Sequence, residues 1–145
     1  MGAKLNKVSL TDLNIIETEK GNILHGLKKT SSGYLNFGES YYSEVNPMEI
    51  KGWKKHNKVT LNICVPVGLI KFVIHSSDKR ELNSDICKEY IIGNTNYKLL
   101  TIPPGFWVAF QGLETKNMLH NIIDLEHDPS ESESLDLDYF SYKWQ

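Results

Sequence analysis

Lys54, His56 and Lys58 alternate along one short segment, and Thr60, Asn62 and Cys64 continue the same two-residue spacing. In an extended chain, side chains alternate between faces, so these six would share one face while Val59, Leu61, Ile63, Val65 and Val67 form an apolar face opposite. An imidazole flanked by two ammonium groups is a reagent set for removing a proton next to a carbonyl. The flanking charges disfavour a second proton on the ring. A neutral imidazole is a competent general base near pH 7, and a lysine ammonium can stabilise an enolate oxygen or a diphosphate. His56 is therefore the candidate base, with Lys54 or Lys58 as the electrophile. On the outside of a sandwich the same row would simply be solvated. Inside a barrel it is costly to bury without partners, and there it marks a ligand pocket. A transition-metal centre needs about three protein ligands, which one imidazole among lysines does not supply, so no metal and no cofactor is expected. A set built from His56, His75 and His120 is the alternative.

Further residues are candidates for binding a substrate. Asn62 lies in the polar row. Glu39 alternates with Phe37 and Tyr41 and is placed to point inward, toward Lys54 or a substrate hydroxyl. Lys51 and Arg80 are candidate diphosphate contacts, with solvated surface as the alternative. Trp107 follows the turn Pro103-Pro104-Gly105 and could stack on a base or sugar, or only pack. Of His120 and Asn121, alternation lets one face inward; the sequence leaves the choice open, and Asn121 is taken as the binding residue. Tyr41 and Tyr42 point to opposite faces, so at most one reaches a pocket. His25 reads as a core or interface histidine, His75 as an exposed strand end, and His127-Asp128-Pro129 as a turn.

The elements that must position these residues are strands. Asn22–Leu27, Phe37–Val45, Val59–Val67, Ile70–His75, Cys87–Ile92, Lys98–Ile102, Trp107–Gly112 and Asn117–Leu125 have strand composition and are separated by Gly, Pro, Asn and Ser turns. No segment sustains a helical period, so the expectation is an all-β sandwich or barrel. The 145 residues fit one domain. An acidic, serine-rich segment, 128–138, reads as a solvated loop or helix start. The aromatic segment 139–145 should pack back on the domain or on a partner subunit.

Composition narrows the classes. A net charge of -2 lacks the basic footprint of a nucleic-acid binder, and no apolar run reaches the length of a membrane span. Two cysteines make no disulfide framework, and the first ten residues hold no apolar stretch typical of a secretory leader, so the cytoplasm is the expected compartment. Cys64, in an apolar strand, reads as a small buried hydrophobe.

Two motifs carry a resemblance. Lys51-Gly52-Trp53-Lys54-Lys55-His56, with its spacing to Gly68, resembles the first motif of the sugar-nucleotide cupins. Ile102-Pro103-Pro104-Gly105-Phe106-Trp107-Val108-Ala109-Phe110 resembles the I-P-x-G-F-A-H-G-F segment of their 3,5-epimerases. The chain looks like the dTDP-4-dehydrorhamnose 3,5-epimerases and the related 3,4-ketoisomerases from about Gly21 to Trp144, and most of all like an epimerase-related subgroup with the pattern K-G-W-K-x-H. The resemblance implies a double-stranded β-helix, a homodimer that exchanges N-terminal strands, no cofactor, and a nucleotide-linked 4-keto-6-deoxy sugar as substrate. It further implies that a His takes the proton alpha to the ketone, that a tyrosine or second His on the opposite side returns one, and that a Lys steadies the enolate. Three departures stand against it. Lys54 occupies the place of the epimerases' catalytic His. The Asp that pairs with that His is displaced or lost in the equivalent stretch, Val73–Arg80, which holds Asp78. No tyrosine stands near His120-Asn121, where the epimerases have theirs. Epimerisation at one carbon, a ketone shift, and binding without catalysis all remain open.

Overall fold

The computed structural model describes residues 4–144. Runs of Val, Ile, Leu and Tyr bounded by turn residues form twelve strands among the described residues: β1 (Ser9–Asp12), β2 (Ile15–Ile16), β3 (Ile23–Leu24), β4 (Glu39–Glu44), β5 (Ile50–His56), β6 (Leu61–Val67), β7 (Leu69–His75), β8 (Cys87–Gly93), β9 (Lys98–Ile102), β10 (Trp107–Gly112), β11 (Met118–Ile123) and β12 (Ser132–Ser134). Two antiparallel five-stranded sheets result, in the orders β1-β9-β6-β11-β4 and β12-β5-β10-β7-β8, while β2 and β3 form a small separate hairpin. The chain passes repeatedly from one sheet to the other, as in a double-stranded β-helix. Gly68, at φ +83°, turns one such corner between β6 and β7; an added Cβ there would run into the backbone of Lys116. In this single chain β1 pairs with its own β9.

The sheets close on a core of Leu61, Ile63, Val65, Ile70, Phe72, Ile74, Ile92, Leu100 and Ile102, all buried. Part of each outer face is also covered. The β2–β3 hairpin and its flanks lay Leu13, Ile15, Leu24 and Leu27 over Cys64, Tyr97 and Leu99, so Cys64 is a buried hydrophobe. On the other side, Phe140 is buried against Trp53, Val73, Trp107 and Ala109. The aromatic segment thus packs on its own domain. His75 lies beneath it and is fully buried, stacked on Phe140 at 4.2 Å, which corrects its reading as an exposed strand end.

The acidic segment also differs from expectation. It forms a short 3-10 turn, Pro129–Glu131, capped by Asp128 Oδ1 accepting from Ser130 N–H, and then enters the second sheet as β12. Its edge pairing with β5 sets Ser132 against His56 and Ser134 against Lys54.

Candidate active site

The strand β5 carries the candidates Lys51, Lys54 and His56, and a bulge determines which of its residues reach the interior. Its register against β10 shifts between Val108 and Ala109: Lys51 pairs with Phe110, Gly52 with Ala109, and Lys54 with Val108. Trp53 is the extra residue. Lys51 and Lys54, which simple alternation would send to opposite faces, therefore both face inward with Val108 and Phe110, while Trp53 turns outward into the aromatic cluster. Gly52, at φ +136°, makes this possible: an added Cβ would lie 2.6 Å from Ala109 Cβ.

Between the two sheets lies a cavity of about 280 Å³. Lys51, Lys54, His56, Val108 and Phe110 come from the second sheet. Tyr41, Ser43, Leu61, Ile63, Leu119 and Asn121 face them from the first. Apolar walls with a few converging polar groups are the usual make-up of a small-molecule site.

His56 is held by a residue that the sequence reading missed. Its Nδ1 lies 2.7 Å from Glu131 Oε1, and the Glu131 side chain is only 7% exposed. The second oxygen, Oε2, accepts from the backbone N–H groups of Lys58 and Val59 at 2.7 and 3.0 Å. Burial by itself would raise the Glu131 carboxyl, but the His56 hydrogen bond and the two amides outweigh it and hold it down at about 2. An ionised carboxylate accepting from Nδ1–H leaves Nε2 with its lone pair available to a ligand. The carboxylate partner sought in Val73–Arg80 is supplied instead from 75 residues further along the chain than His56. No spacing signal could have revealed it.

On the opposing sheet, Tyr41 and Asn121 sit directly across from each other in the β4–β11 ladder. Asn121 Nδ2 donates to the Tyr41 hydroxyl at 2.9 Å. Asn121 Oδ1 is buried and has no hydrogen-bond partner among the described residues. Burial raises the Tyr41 phenol above its ordinary value, and Glu39 adds to this against the Asn121 hydrogen bond, so the hydroxyl keeps its proton. His120 takes the other face and stacks on Tyr42 at 4.2 Å. Near the cavity edge, Lys51 Nζ donates to Ser43 Oγ and to the Glu44 carbonyl at 2.9 and 2.6 Å. Lys54 forms no ion pair among the described residues.

The remaining candidates lie elsewhere, and one cause accounts for two of them. The chain leaves its extended path after His56 and crosses to the first sheet, which resets the alternation before Leu61. The odd residues Leu61 and Ile63 therefore face the cavity. Asn62 turns to the outer side, where it donates to the Gly33 carbonyl and accepts from Thr101 Oγ1 at 3.0 and 2.6 Å. Lys58, in the crossing itself, is exposed and outside the cavity. Glu39 shares a face with Tyr41 but lies beyond the lining, its Oε1 accepting from His127 N–H at 2.9 Å. Trp107 is buried on the outer face and donates from Nε1 to Asp78 Oδ1 at 2.8 Å. Arg80 is also on that side, its guanidinium 4.7 Å from the Tyr139 ring. Among the described residues, no three His, Cys, Asp or Glu side chains converge on a point that could hold a metal.

Structural comparison places this arrangement. A dTDP sugar isomerase from Desulfovibrio desulfuricans G20 superposes with a TM-score of 0.85 at 34% sequence identity, over 94% of this chain and 90% of that one. The chain belongs to the dTDP-sugar isomerase family. More distant structures share the family's fold. A dTDP-4-dehydrorhamnose 3,5-epimerase from Sulfolobus tokodaii matches at 22% identity and TM-score 0.77, over 93% of this chain and 80% of that one. A 3,4-ketoisomerase from Thermoanaerobacterium thermosaccharolyticum, in complex with TDP-4-keto-6-deoxyglucose, matches at 17% and 0.73, over 89% and 88%. No protein-family model and no curated protein matches the sequence. In this chain the imidazole–carboxylate pair, His56 and Glu131, is carried by β5 and the segment leading into β12, and Tyr41 by β4.

Proposed function

We propose that the protein is a metal-independent isomerase that acts on a dTDP-linked 4-keto-6-deoxy sugar by removing a proton alpha to the ketone. The observation that carries this reading is the His56 ring lining the cavity with Nδ1 held at 2.7 Å by a buried carboxylate. His56 Nε2 takes the alpha proton, and Glu131 stabilises the imidazolium that forms. The Lys54 ammonium, without a carboxylate partner among the described residues, stabilises the charge developing on the enolate oxygen. Lys51, anchored beside Ser43, meets the diphosphate. Tyr41 faces the second sheet from the first and keeps its proton, so it returns a proton to the carbanion on the side opposite His56. That facing pair supports inversion at one carbon, with a 3,4-ketone shift as the alternative outcome of the same enolate. The cavity takes the sugar ring, with Leu61, Ile63 and Leu119 against its methyl group, and the nucleotide lies outside it. The reading includes a cytoplasmic homodimer working in polysaccharide biosynthesis without a cofactor.

The test is incubation with dTDP-4-keto-6-deoxyglucose in deuterated water, followed by NMR. Deuterium is expected at C3 or C5 for inversion and at C4 for a ketone shift, and the signals of the product separate a 3-epimer, a 5-epimer and a 3-ketone. Absence of exchange from every keto-sugar nucleotide tried, or undiminished exchange in His56→Ala, would overturn the assignment and leave binding without catalysis.

A further inference from the structure

We infer that Phe140 is a positioning residue for the His56–Glu131 pair, anchoring from the outer face of the sheet the segment that brings the carboxylate to the base. The inference rests on the reading of His56 as the base, and the experiment below separates failure of one from failure of the other.

Asn57 N–H and Nδ2 both donate to the Glu131 carbonyl at 3.1 Å, but these bonds form only while the segment lies against β5. Burying a carboxylate is unfavourable until its partners are in position. The strand that follows it, β12, is an edge strand of three residues, Ser132, Glu133 and Ser134. It brings no apolar side chain to the sheet, and a pairing that short is marginal without further burial. The burial comes further along. Leu135 and Trp53 exchange two backbone hydrogen bonds of 3.1 and 3.3 Å, extending the ladder past β12. The Leu137 carbonyl then accepts from Trp53 Nε1 at 3.2 Å. Phe140 closes the run at 1% exposure, edge-on to Trp53 at 5.0 Å and stacked on His75 at 4.2 Å. Beyond it, Ser141 N–H and Oγ–H both donate to the Arg80 carbonyl, at 2.9 and 2.8 Å.

Trp53 and Lys54 are neighbours on β5 that face opposite sides, so the anchor and the reagents sit back to back on one strand. Unseating Phe140 removes the apolar anchor of residues 131–139 and so lowers the fraction of time that the acceptor is held on His56 Nδ1. The share of molecules with a competent base then equals the share with this segment seated.

The experiment compares Phe140→Ala and Phe140→Leu, each in the natural chain and in a Glu131→Gln background. In the natural chain Phe140→Ala should lower kcat by about 10-fold or more, with KM within about 2-fold, and Phe140→Leu should fall between. In the Glu131→Gln background the same Phe140→Ala change should alter kcat by less than about 2-fold, because the group it positions is already disabled. Nitrogen NMR of the His56 ring gives a readout that needs no substrate: the proton sits on Nδ1 in the natural protein and moves toward Nε2 in Phe140→Ala. Fully additive losses, or an unchanged His56 tautomer in Phe140→Ala, would overturn the inference. If Phe140→Ala fails to fold, Phe140→Leu carries the same two readouts. A natural protein without turnover would sink the assigned activity and leave the tautomer test standing.

Discussion

His56 and Glu131 meet at 2.7 Å although 75 residues separate them along the chain, and the glutamate's second oxygen is spent on the backbone of the very turn that leaves His56. The carboxylate therefore fixes both the ring and the corner after it. Replacing Glu131 with Gln keeps the shape and removes the charge. The variant should lose about 10²-fold or more in kcat with little change in KM, measured by deuterium incorporation, since the imidazolium is no longer stabilised.

The same carboxylate sets an acid limit on the fold. Its pKa is lowered from 4.5 to about 2, so its ionised form stabilises the folded state; that contribution is fully present above about 4.5 and is lost as pH falls toward about 2. Melting temperatures between pH 5 and pH 2 should fall more steeply in the natural protein than in Glu131→Gln. His75, whose pKa is lowered by burial, contributes its own loss below 6.5 in both proteins and cancels in the comparison. Parallel curves would contradict the assignment.

Tyr41 lines the cavity from the sheet opposite His56, with its hydroxyl accepting from Asn121. In Tyr41→Phe, His56 can still remove and return a proton on its own side, but nothing delivers one from the other. Exchange into the unchanged substrate should persist while formation of the inverted product drops by about 10²-fold. Equal loss of both would place the proton donor elsewhere.

Gly52 permits the bulge that turns Lys51 and Lys54 inward. An alanine there must adopt φ +136° and push against Ala109 at 2.6 Å. Gly52→Ala should destabilise the fold by at least about 2 kcal/mol. Thermal denaturation should show it as a Tm lower by several degrees, and turnover should fall further than the stability loss explains, because Lys54 and His56 follow directly. A variant with unchanged Tm would mean that β5 can re-register at little cost.

How far the sequence carried this reading depends on the kind of signal each residue gave. Most strands were legible because β-branched runs and turn residues mark them locally, and Lys98–Ile102 and Trp107–Gly112 have the bounds that composition suggested, but β1, β2, β5 and β12 were not among the expected strands. His56 and Lys54 stood out as polar residues at alternate positions. Asn62 and Lys58 were misplaced because alternation holds only within one strand, and the chain changes sheets between His56 and Leu61. The inward turn of Lys51 with Lys54 depends on a bulge, and a bulge is set by pairing with β10, which no local pattern records. Glu131 was hidden for a related reason: among acidic and serine residues it looks like solvated chain, and only the β12–β5 pairing singles it out. No tyrosine stands beside Asn121 in sequence, but Tyr41 pairs with it in space, on the neighbouring strand.

The crossing between β5 and β6 has one more consequence. It puts the proposed base and electrophile, His56 and Lys54, on one wall and Leu61, Ile63, Leu119 and Asn121 on the other, where Tyr41 is the one proposed proton-handling group, and separate sheets carry the two walls. Reagent and receptor can then drift apart in evolution: substitutions at 61, 63 or 119 reshape what is welcomed without disturbing what is done to it. A scaffold divided in this way can adopt a new sugar by repainting a single wall.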